Sequence, residues 1–218
     1  MSLAIVYTRA ALGIEAPLIT VEVHLSNGLP GLTMVGLPET TVKEARDRVR
    51  SALINSGYAF PAKKITINLA PADLPKEGGR YDLPIALALL VASEQLNTTR
   101  LNQYEFVGEL ALTGGLRGVP GAIPSAMEAI KAGRRIVVSS DNAAEVGLIG
   151  GSDCLVADHL QEVCAFLAGQ TSLSPPLAEA PARDERYEDL LDVIGQQQGK
   201  RALEIVAAGG HKDRKSVV

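Results

Sequence analysis

Residues Ile65–Ser93 read ITINLAPADLPKEGGRYDLPIALALLVAS, and this stretch decides the fold. Its first three residues alternate β-branched side chains, which is typical of a half-buried strand. Residues 70–81 then form a connector with two prolines and a glycine pair. From Asp82 to Ala92 the chain is nearly all apolar, with Pro84 in the first turn. This pattern predicts a helix that is buried on every side.

The connector brings charge to the start of that helix. Lys76 and Arg80 flank Gly78-Gly79. A glycine-hinged loop can approach a phosphate backbone closely, and helix starts favour anions. We therefore predict Lys76 and Arg80 as the first nucleic-acid contacts, with Asp82 as a structural helix cap.

The charge of the chain is uneven. Its net charge is −4, but residues 41–80 hold eight basic and four acidic residues, which makes this segment +4 and leaves −8 elsewhere. A polyanion should therefore bind this segment if it binds the domain at all. The second-choice contacts predicted here are Arg46, Arg50, Lys63 and Lys64.

Arg46 and Arg50 belong to a predicted helix. Thr41 and Glu44 form a capping-box pattern that opens it, and Ser56-Gly57 closes it after Asn55. Its polar side can be a solvated face held by i,i+4 pairs, or a basic stripe that contacts DNA or a neighbouring subunit. The sequence leaves both interpretations open.

The remaining pattern indicates an α/β fold. In the second half, predicted strands alternate with predicted helices, which favours parallel pairing. The predicted strands are residues 2–8, 18–25, 31–35, 104–112, 116–119, 135–139 and 155–156, and the predicted helices are residues 122–131, one capped by residues 140–142, and residues 160–167.

Cys154 and Cys164 have no zinc-site spacing, so we expect thiols rather than a disulfide. The longest apolar run, Leu83–Ala92, is about half of what a membrane span needs. The N-terminus lacks a secretory pattern. These features predict a soluble, cytoplasmic protein without a membrane partner.

Three segments together resemble one known family. They are the stretch quoted above, VEVHLSNGLPGLTMVGLPETTVKEARDRVRSALINSGY at 21–58, and VGELALTGGLRGVPGAIPSAMEA at 107–129. The chain resembles, up to about Gly210, the N-terminal part of YifB/ComM proteins, the magnesium chelatase-like AAA+ proteins. The resemblance implies a ribosomal-S5-domain-2-like α/β sandwich, similar in fold to the proteolytic domain of Lon.

The resemblance also implies a role for the whole protein. Family members are expected to be hexameric ATP-driven motors, with proposed roles in DNA branch migration during natural transformation. ATP and Mg²⁺ are thus implied for full-length proteins. The present chain contains no GxxxxGK[ST], so we expect no cofactor in it.

The chain divides by composition and resemblance into four parts. Residues 1–169 are the Lon-like domain, 170–184 a proline-containing linker, and 185–211 the first helices of a truncated AAA+ domain. Residues 212–218 end in DRKSVV, which matches one translated frame of a common sequencing-library adapter. We expect this tail to be a cloning or assembly artefact.

A Lon-like serine–lysine peptidase requires a hydroxyl at the start of the buried helix and a desolvated lysine. Asp82 and, by the resemblance, Ile123 occupy these positions. Ser125 and Lys131 are spaced for one helix instead. Glu109 is predicted to pair with a loop arginine. No catalytic residue and no metal ligand are therefore assigned.

The leading hypothesis is a non-catalytic scaffold and oligomerisation domain that guides DNA. The alternative is a pure oligomerisation module without DNA contact. A residual Lon-like peptidase or chelatase-linked ATPase is the third hypothesis. A DNA titration combined with sizing by light scattering separates the first two.

Overall fold

The structure is a computed structural model that describes residues 2–36, 44–176 and 190–209. Its strands are β1 Ser2–Arg9, β2 Leu18–Ser26, β3 Gly31–Val35, β4 Lys64–Ala70, β5 Tyr104–Phe106, β6 Glu109–Leu110, β7 Leu116–Arg117, β8 Arg135–Ser139 and β9 Cys154–Ala157. Its α-helices are α1 Ala45–Asn55, α2 Asp82–Ala92, α3 Ala122–Lys131, α4 Ala143–Gly147, α5 Leu160–Leu167 and α6 Gln197–Gly209. The chain separates into two compact units, residues 1–179 and 180–218.

Seven strands of the first unit form one mixed sheet in the order β3-β4-β2-β1-β5-β8-β9. β2 pairs antiparallel with β1 and with β4. The four other pairings are parallel, including β1 with β5 and β5 with β8. The α/β class is confirmed, and so is the parallel pairing that the second half of the sequence predicted.

The alternation of β2 explains which side of the sheet is buried. Ile19, Val21, Val23 and Leu25 are buried, while the residues between them are half-buried. A strand places successive side chains on opposite faces, so these four form one apolar face. They belong to the main core, which also contains the side chains of α2.

Helix α2 is the centre of that core. Ten of its eleven residues are buried, and it contacts both β1 and β2. The predicted bounds Asp82–Ala92 are confirmed. An apolar side chain contributes roughly 1.5–3 kcal/mol to folding when fully buried, so this helix is a major source of the stability of the first unit.

The β8 end of the sheet has helices on both faces. Val137 belongs to the main core, whereas its neighbours Ile136 and Val138 belong to a second core with α3. This arrangement follows from the three consecutive apolar residues at the centre of β8 (RIVVS), because a strand without polar alternation must be buried on both sides.

The predicted strand at residues 104–112 is divided in the structure. It separates into β5 and β6, because the backbone at Gly108 turns towards the start of α2. Gly108 N–H donates to Arg80 O at 3.2 Å, and Leu83 N–H donates to Gly108 O at 3.1 Å. β6 then pairs with β7 in a separate two-stranded hairpin.

Several sequence predictions lie outside the described residues. These are the capping role of Thr41, most of the linker and the tail at 212–218. Glu44 precedes α1 without a side-chain capping hydrogen bond. In the second unit, α6 follows a 3₁₀ turn at Leu190–Asp192. None of the helices within the described ranges is long and apolar enough to span a membrane.

Candidate functional site

A basic cleft lies between α1 and the adjoining ends of β3 and β4. It has a volume of about 230 Å³. Three of the predicted second-choice cations line it: Arg46, Arg50 and Lys63. The other lining residues are apolar or glycine, so no carboxylate is found among the described residues of the wall: Pro30, Gly31, Leu32, Phe60, Pro61, Ala62 and Ile65.

The local structure explains how these cations meet. Arg46 and Arg50 are one helical turn apart on α1, so they project from the same side of the helix. Lys63 immediately precedes β4, and Lys64 is its exposed first residue. These four residues are exposed, whereas Lys76 and Arg80 are buried.

The cleft combines charge with an aromatic ring. The Arg50 guanidinium carbon lies 5.5 Å from the centroid of the Phe60 ring, within the range of a cation–π interaction. Phe60 is half-buried and packs against the main core. The ring therefore limits the orientations of Arg50 while leaving the cleft open.

Lys76 occupies a different environment from the one that the sequence predicts. Its side chain is fully buried, and Nζ donates to the carbonyl oxygens of Pro71 and Leu74, the latter at 2.8 Å. Burial lowers the pKa of its ammonium group, while Asp73 opposes that effect. An ammonium group held in this way faces the protein instead of a solvent-borne phosphate.

Arg80 is also buried, with only 4% of the residue exposed. Its Nη1 donates to Arg9 O at 3.4 Å, and its Nη2 donates to Pro120 O. Burial lowers the pKa of this guanidinium. Both first-choice contacts are therefore buried, whereas the four second-choice contacts are exposed: Arg46, Arg50, Lys63 and Lys64.

Asp82 is not a helix cap, which corrects the sequence prediction. It is the first residue of α2, and no side-chain capping bond forms there. Its buried carboxylate accepts from Arg48 Nε at 2.7 Å, from Arg48 Nη2 at 3.1 Å and from Leu110 N–H at 3.3 Å. Burial raises the pKa of Asp82 to about 6, although Arg48 and Leu110 N–H both oppose the rise. The carboxylate thus joins α2 to α1 and β6.

Glu109 pairs with a strand arginine, not with a loop arginine. Its Oε1 lies 3.5 Å from Arg117 Nη1, and the two residues are directly opposite each other in the β6–β7 hairpin. The pairing predicted for Glu109 therefore has a different partner. Glu109 also lines a second cavity, of about 300 Å³, together with Arg80 and Glu77.

The two positions that a Lon-like serine–lysine dyad would occupy contain neither serine nor lysine. Asp82 is engaged by Arg48, and Ile123 lies on α3. Ser125 Oγ donates to Gly121 O at 2.8 Å, and Lys131 Nζ pairs with Glu128 Oε1 at 2.5 Å. Ser125 and Lys131 therefore each have a local partner, and they do not form a pair.

Sequence reasoning missed a buried charge cluster. Arg9 donates to both oxygens of Glu105, at 2.5 and 2.7 Å, and Arg134 Nη1 lies 3.2 Å from Glu105 Oε1. Glu105 is fully buried, and Arg134 also stacks on Tyr7 at 4.2 Å. The sequence signal that could have indicated this cluster is Glu105 itself, a charged residue between two aromatic residues in the strand YEF.

Cys154 and Cys164 are free, buried thiols. Burial raises the pKa of the Cys164 thiol to about 11, and a hydrogen bond with Tyr58 opposes this. Within the described ranges, no group of three or more histidine, cysteine, aspartate or glutamate residues could hold a metal ion.

Comparison with known proteins identifies one family. Residues 21–142 match the family described as subunit ChlI of Mg-chelatase. The chain is 75% identical to the uncharacterized protein YifB of Salmonella typhimurium and 56% identical to the competence protein ComM of Haemophilus influenzae. An uncharacterized Mycobacterium bovis protein is 37% identical. Each match covers 97% of this chain, which spans only 42% of the length of each relative.

Proposed function

The chain belongs to the family of the Mg-chelatase subunit ChlI, and we propose that it is the non-catalytic scaffold domain of a YifB/ComM-like AAA+ protein. In this role it guides nucleic acid along the basic cleft and takes part in ring assembly. The proposal includes a ribosomal-S5-domain-2-like fold for the first unit, a hexameric full-length protein and a cytoplasmic location.

The observation that carries this proposal is the composition of the cleft. Arg46, Arg50 and Lys63 surround one cavity that no described carboxylate lines. Each cation that contacts a phosphate displaces a condensed counterion, so binding must weaken as salt rises. The Phe60 ring adds an apolar surface of the kind on which nucleobases stack.

Other features of the domain favour a role without bond cleavage. Asp82 is occupied in binding Arg48, and Ile123 is aliphatic, so neither side chain is a nucleophile activated by a lysine. ATP and Mg²⁺ are assigned to the full-length protein. The residues present do not fit an ATP site, because the chain has no phosphate-loop motif and the described residues offer no metal-ligand cluster.

The test is a salt-dependent DNA titration. The double variant Arg46→Gln/Arg50→Gln is compared with Arg117→Gln/Lys131→Gln, whose side chains are 64% and 65% exposed in other parts of the first unit. Both variants lose two positive charges. Fluorescence anisotropy with labelled single-stranded and duplex oligonucleotides measures affinity and its salt slope.

We expect the cleft variant to bind about tenfold more weakly than the control variant, with a salt slope smaller by about two. Equal losses in the two variants would show that only overall charge matters. Unchanged affinity in the cleft variant would refute the nucleic-acid role.

One observation favours the alternative of an oligomerisation module without DNA contact. On the face of β1 and β3 opposite α2, Leu3, Ile5 and Val35 are 61%, 41% and 41% exposed. Multi-angle light scattering on wild type and on Leu3→Thr/Ile5→Thr tests it. A lower mass for this variant combined with no measurable DNA binding by wild type favours the alternative.

A further inference from the structure

The basic cleft depends on a helix with two functional sides. Arg46 and Arg50 line the cleft, whereas Arg48, between them in sequence, donates to Asp82. Residues two positions apart on a helix are separated by roughly 200° around the axis. The middle arginine therefore anchors the same turn that presents the other two to solvent.

Among the described residues, few other contacts hold this turn of α1 in place. In the first half of α1, the buried apolar side chains are Ala45 and Val49. Ala45 offers one methyl group, and Glu44 makes no capping bond. The larger apolar contact, Leu53, lies near the far end of the helix. An Arg–carboxylate pair with two parallel hydrogen bonds is both strong and directional.

We infer that the Arg48–Asp82 pair is a positioning device for the basic cleft: it holds α1 in the orientation that brings Arg46 and Arg50 to a polyanion. This inference rests on the proposed function. Asp82 touches no ligand, since it is buried at the start of α2, but its charge state controls the affinity of a site on the other side of α1.

The charged groups around Asp82 determine when the pair forms. Arg48 from α1 and the Leu110 N–H from β6 stabilise the carboxylate. Glu109 from β6 opposes its ionisation, and Arg117 from β7 partly neutralises Glu109. Glu44 lies 4.0 Å from Arg48 Nη1. Because burial outweighs the favourable partners, the pKa of Asp82 is about 6, and the pair weakens as pH falls through that value.

The inference predicts that affinity for a polyanion falls as pH falls, which is opposite to the usual effect of pH on such binding. Lower pH makes a protein more positive, which strengthens the binding of polyanions in general. Loss of the Arg48–Asp82 pair weakens it. His24 and His159 lie on β2 and before α5, outside the residues that line the cleft.

The experiment measures the affinity of each variant for a fluorescein-labelled single-stranded oligodeoxythymidylate at about pH 7.5 and about pH 5.5, at constant ionic strength. Asp82→Asn removes the ionisable group and the ion pair. Arg48→Gln/Asp82→Asn replaces the ion pair with two amides that can hydrogen-bond, so it connects α1 to α2 without titrating. Glu109→Gln is the control for loss of one nearby carboxylate.

With a pKa of about 6, roughly a quarter of the molecules keep an ionised Asp82 at about pH 5.5, so the affinity of wild type should fall up to fourfold. Asp82→Asn should bind weakly at both pH values, and the double variant should bind well at both. Glu109→Gln should keep an acid-induced loss but move it to lower pH, because Glu109 opposes the ionisation of Asp82.

A double variant that retains the acid-induced loss would overturn the inference, as would a wild type without such a loss. If Asp82→Asn fails to fold, wild type and the double variant still decide the question. Failure of the proposed function is recognised separately, because then Arg46→Gln/Arg50→Gln also leaves affinity unchanged.

Discussion

Two groups of cations, close in sequence, have opposite environments. Lys76 and Arg80, in the glycine-hinged connector, are buried and donate to backbone carbonyls. Arg46, Arg50 and Lys63 are exposed around a cavity. The sequence favoured the first group because glycine predicts close approach to a ligand. In the structure Lys76 bonds within the connector, and Arg80 bonds to backbone carbonyls of Arg9 and Pro120.

The comparison teaches that a cation indicates a binding site only when its donors remain available. A buried charged group is costly to desolvate and must be satisfied by the protein, whereas an exposed one keeps its hydration until a ligand arrives. The connector should therefore determine stability, and the cleft should determine binding. Four predictions test this division.

The largest effect is expected for charge reversal in the connector. Arg80→Glu places a carboxylate against the carbonyl oxygens of Arg9 and Pro120, so we expect a loss of about 4 kcal/mol in the free energy of unfolding. Lys64→Glu, an equal change of charge at an exposed residue, should cost less than about 0.5 kcal/mol. Urea unfolding followed by far-UV circular dichroism suits a chain without tryptophan.

The same two variants can also refute the division between a connector that determines stability and a cleft that determines binding. Arg80→Glu with normal stability but weak oligonucleotide binding would return the connector to the role of a binding loop. Normal binding by Lys64→Glu would restrict the contact surface to the residues that line the cleft.

The second effect is a pH dependence of stability. The pKa of Asp82 is raised from 3.8 to about 6 in the folded state, so folding favours the protonated form. Its contribution is complete below about pH 4 and is lost as pH rises through about 6, which amounts to about 3 kcal/mol. The stability difference between wild type and Asp82→Asn should therefore decrease between these pH values and stay constant above them. A constant difference from pH 4 to 7 would contradict the raised pKa.

The third effect concerns the aromatic part of the cleft. Phe60→Leu keeps an apolar side chain but removes the ring under Arg50, which is worth about 0.5–1 kcal/mol at an exposed site. Oligonucleotide affinity should fall about threefold while its salt slope stays the same, because no charge is lost. A changed slope would mean that Phe60 acts by placing Arg50 on a phosphate.

The smallest effect is expected for the hairpin pair. Arg117 and Glu109 are 64% and 31% exposed, so Glu109→Gln should change the free energy of unfolding by less than about 0.5 kcal/mol. Chemical unfolding at low and high salt measures it. A larger loss would show that the Arg117–Glu109 pair contributes more than an exposed ion pair usually does.

Local pattern predicted most elements of the first unit. The bounds of α2, α3, α5, β3 and β8 agree with the sequence prediction, because each is a periodic or continuous apolar run bounded by polar or turn-forming residues. The division between β5 and β6 could not be predicted. It arises because Gly108 bonds to Arg80 and Leu83, which lie more than twenty residues away in the chain.

The candidate site was predicted only in part. The positive segment 41–80 was evident from composition, and it contains every cation of the cleft. Which of its cations are exposed was not evident. Nor could the sequence show that Asp82 binds Arg48, 34 residues earlier, since an aspartate before an apolar helix is also typical of a cap.

The sequence by itself determined the α/β class, the buried central helix, the membership of a family and the region where positive charge accumulates. Only the tertiary structure decided which charged groups face each other and which face water. The physical reason is that secondary structure follows from the period of nearby side chains, whereas burial and ion pairing depend on contacts between residues that are distant in the chain.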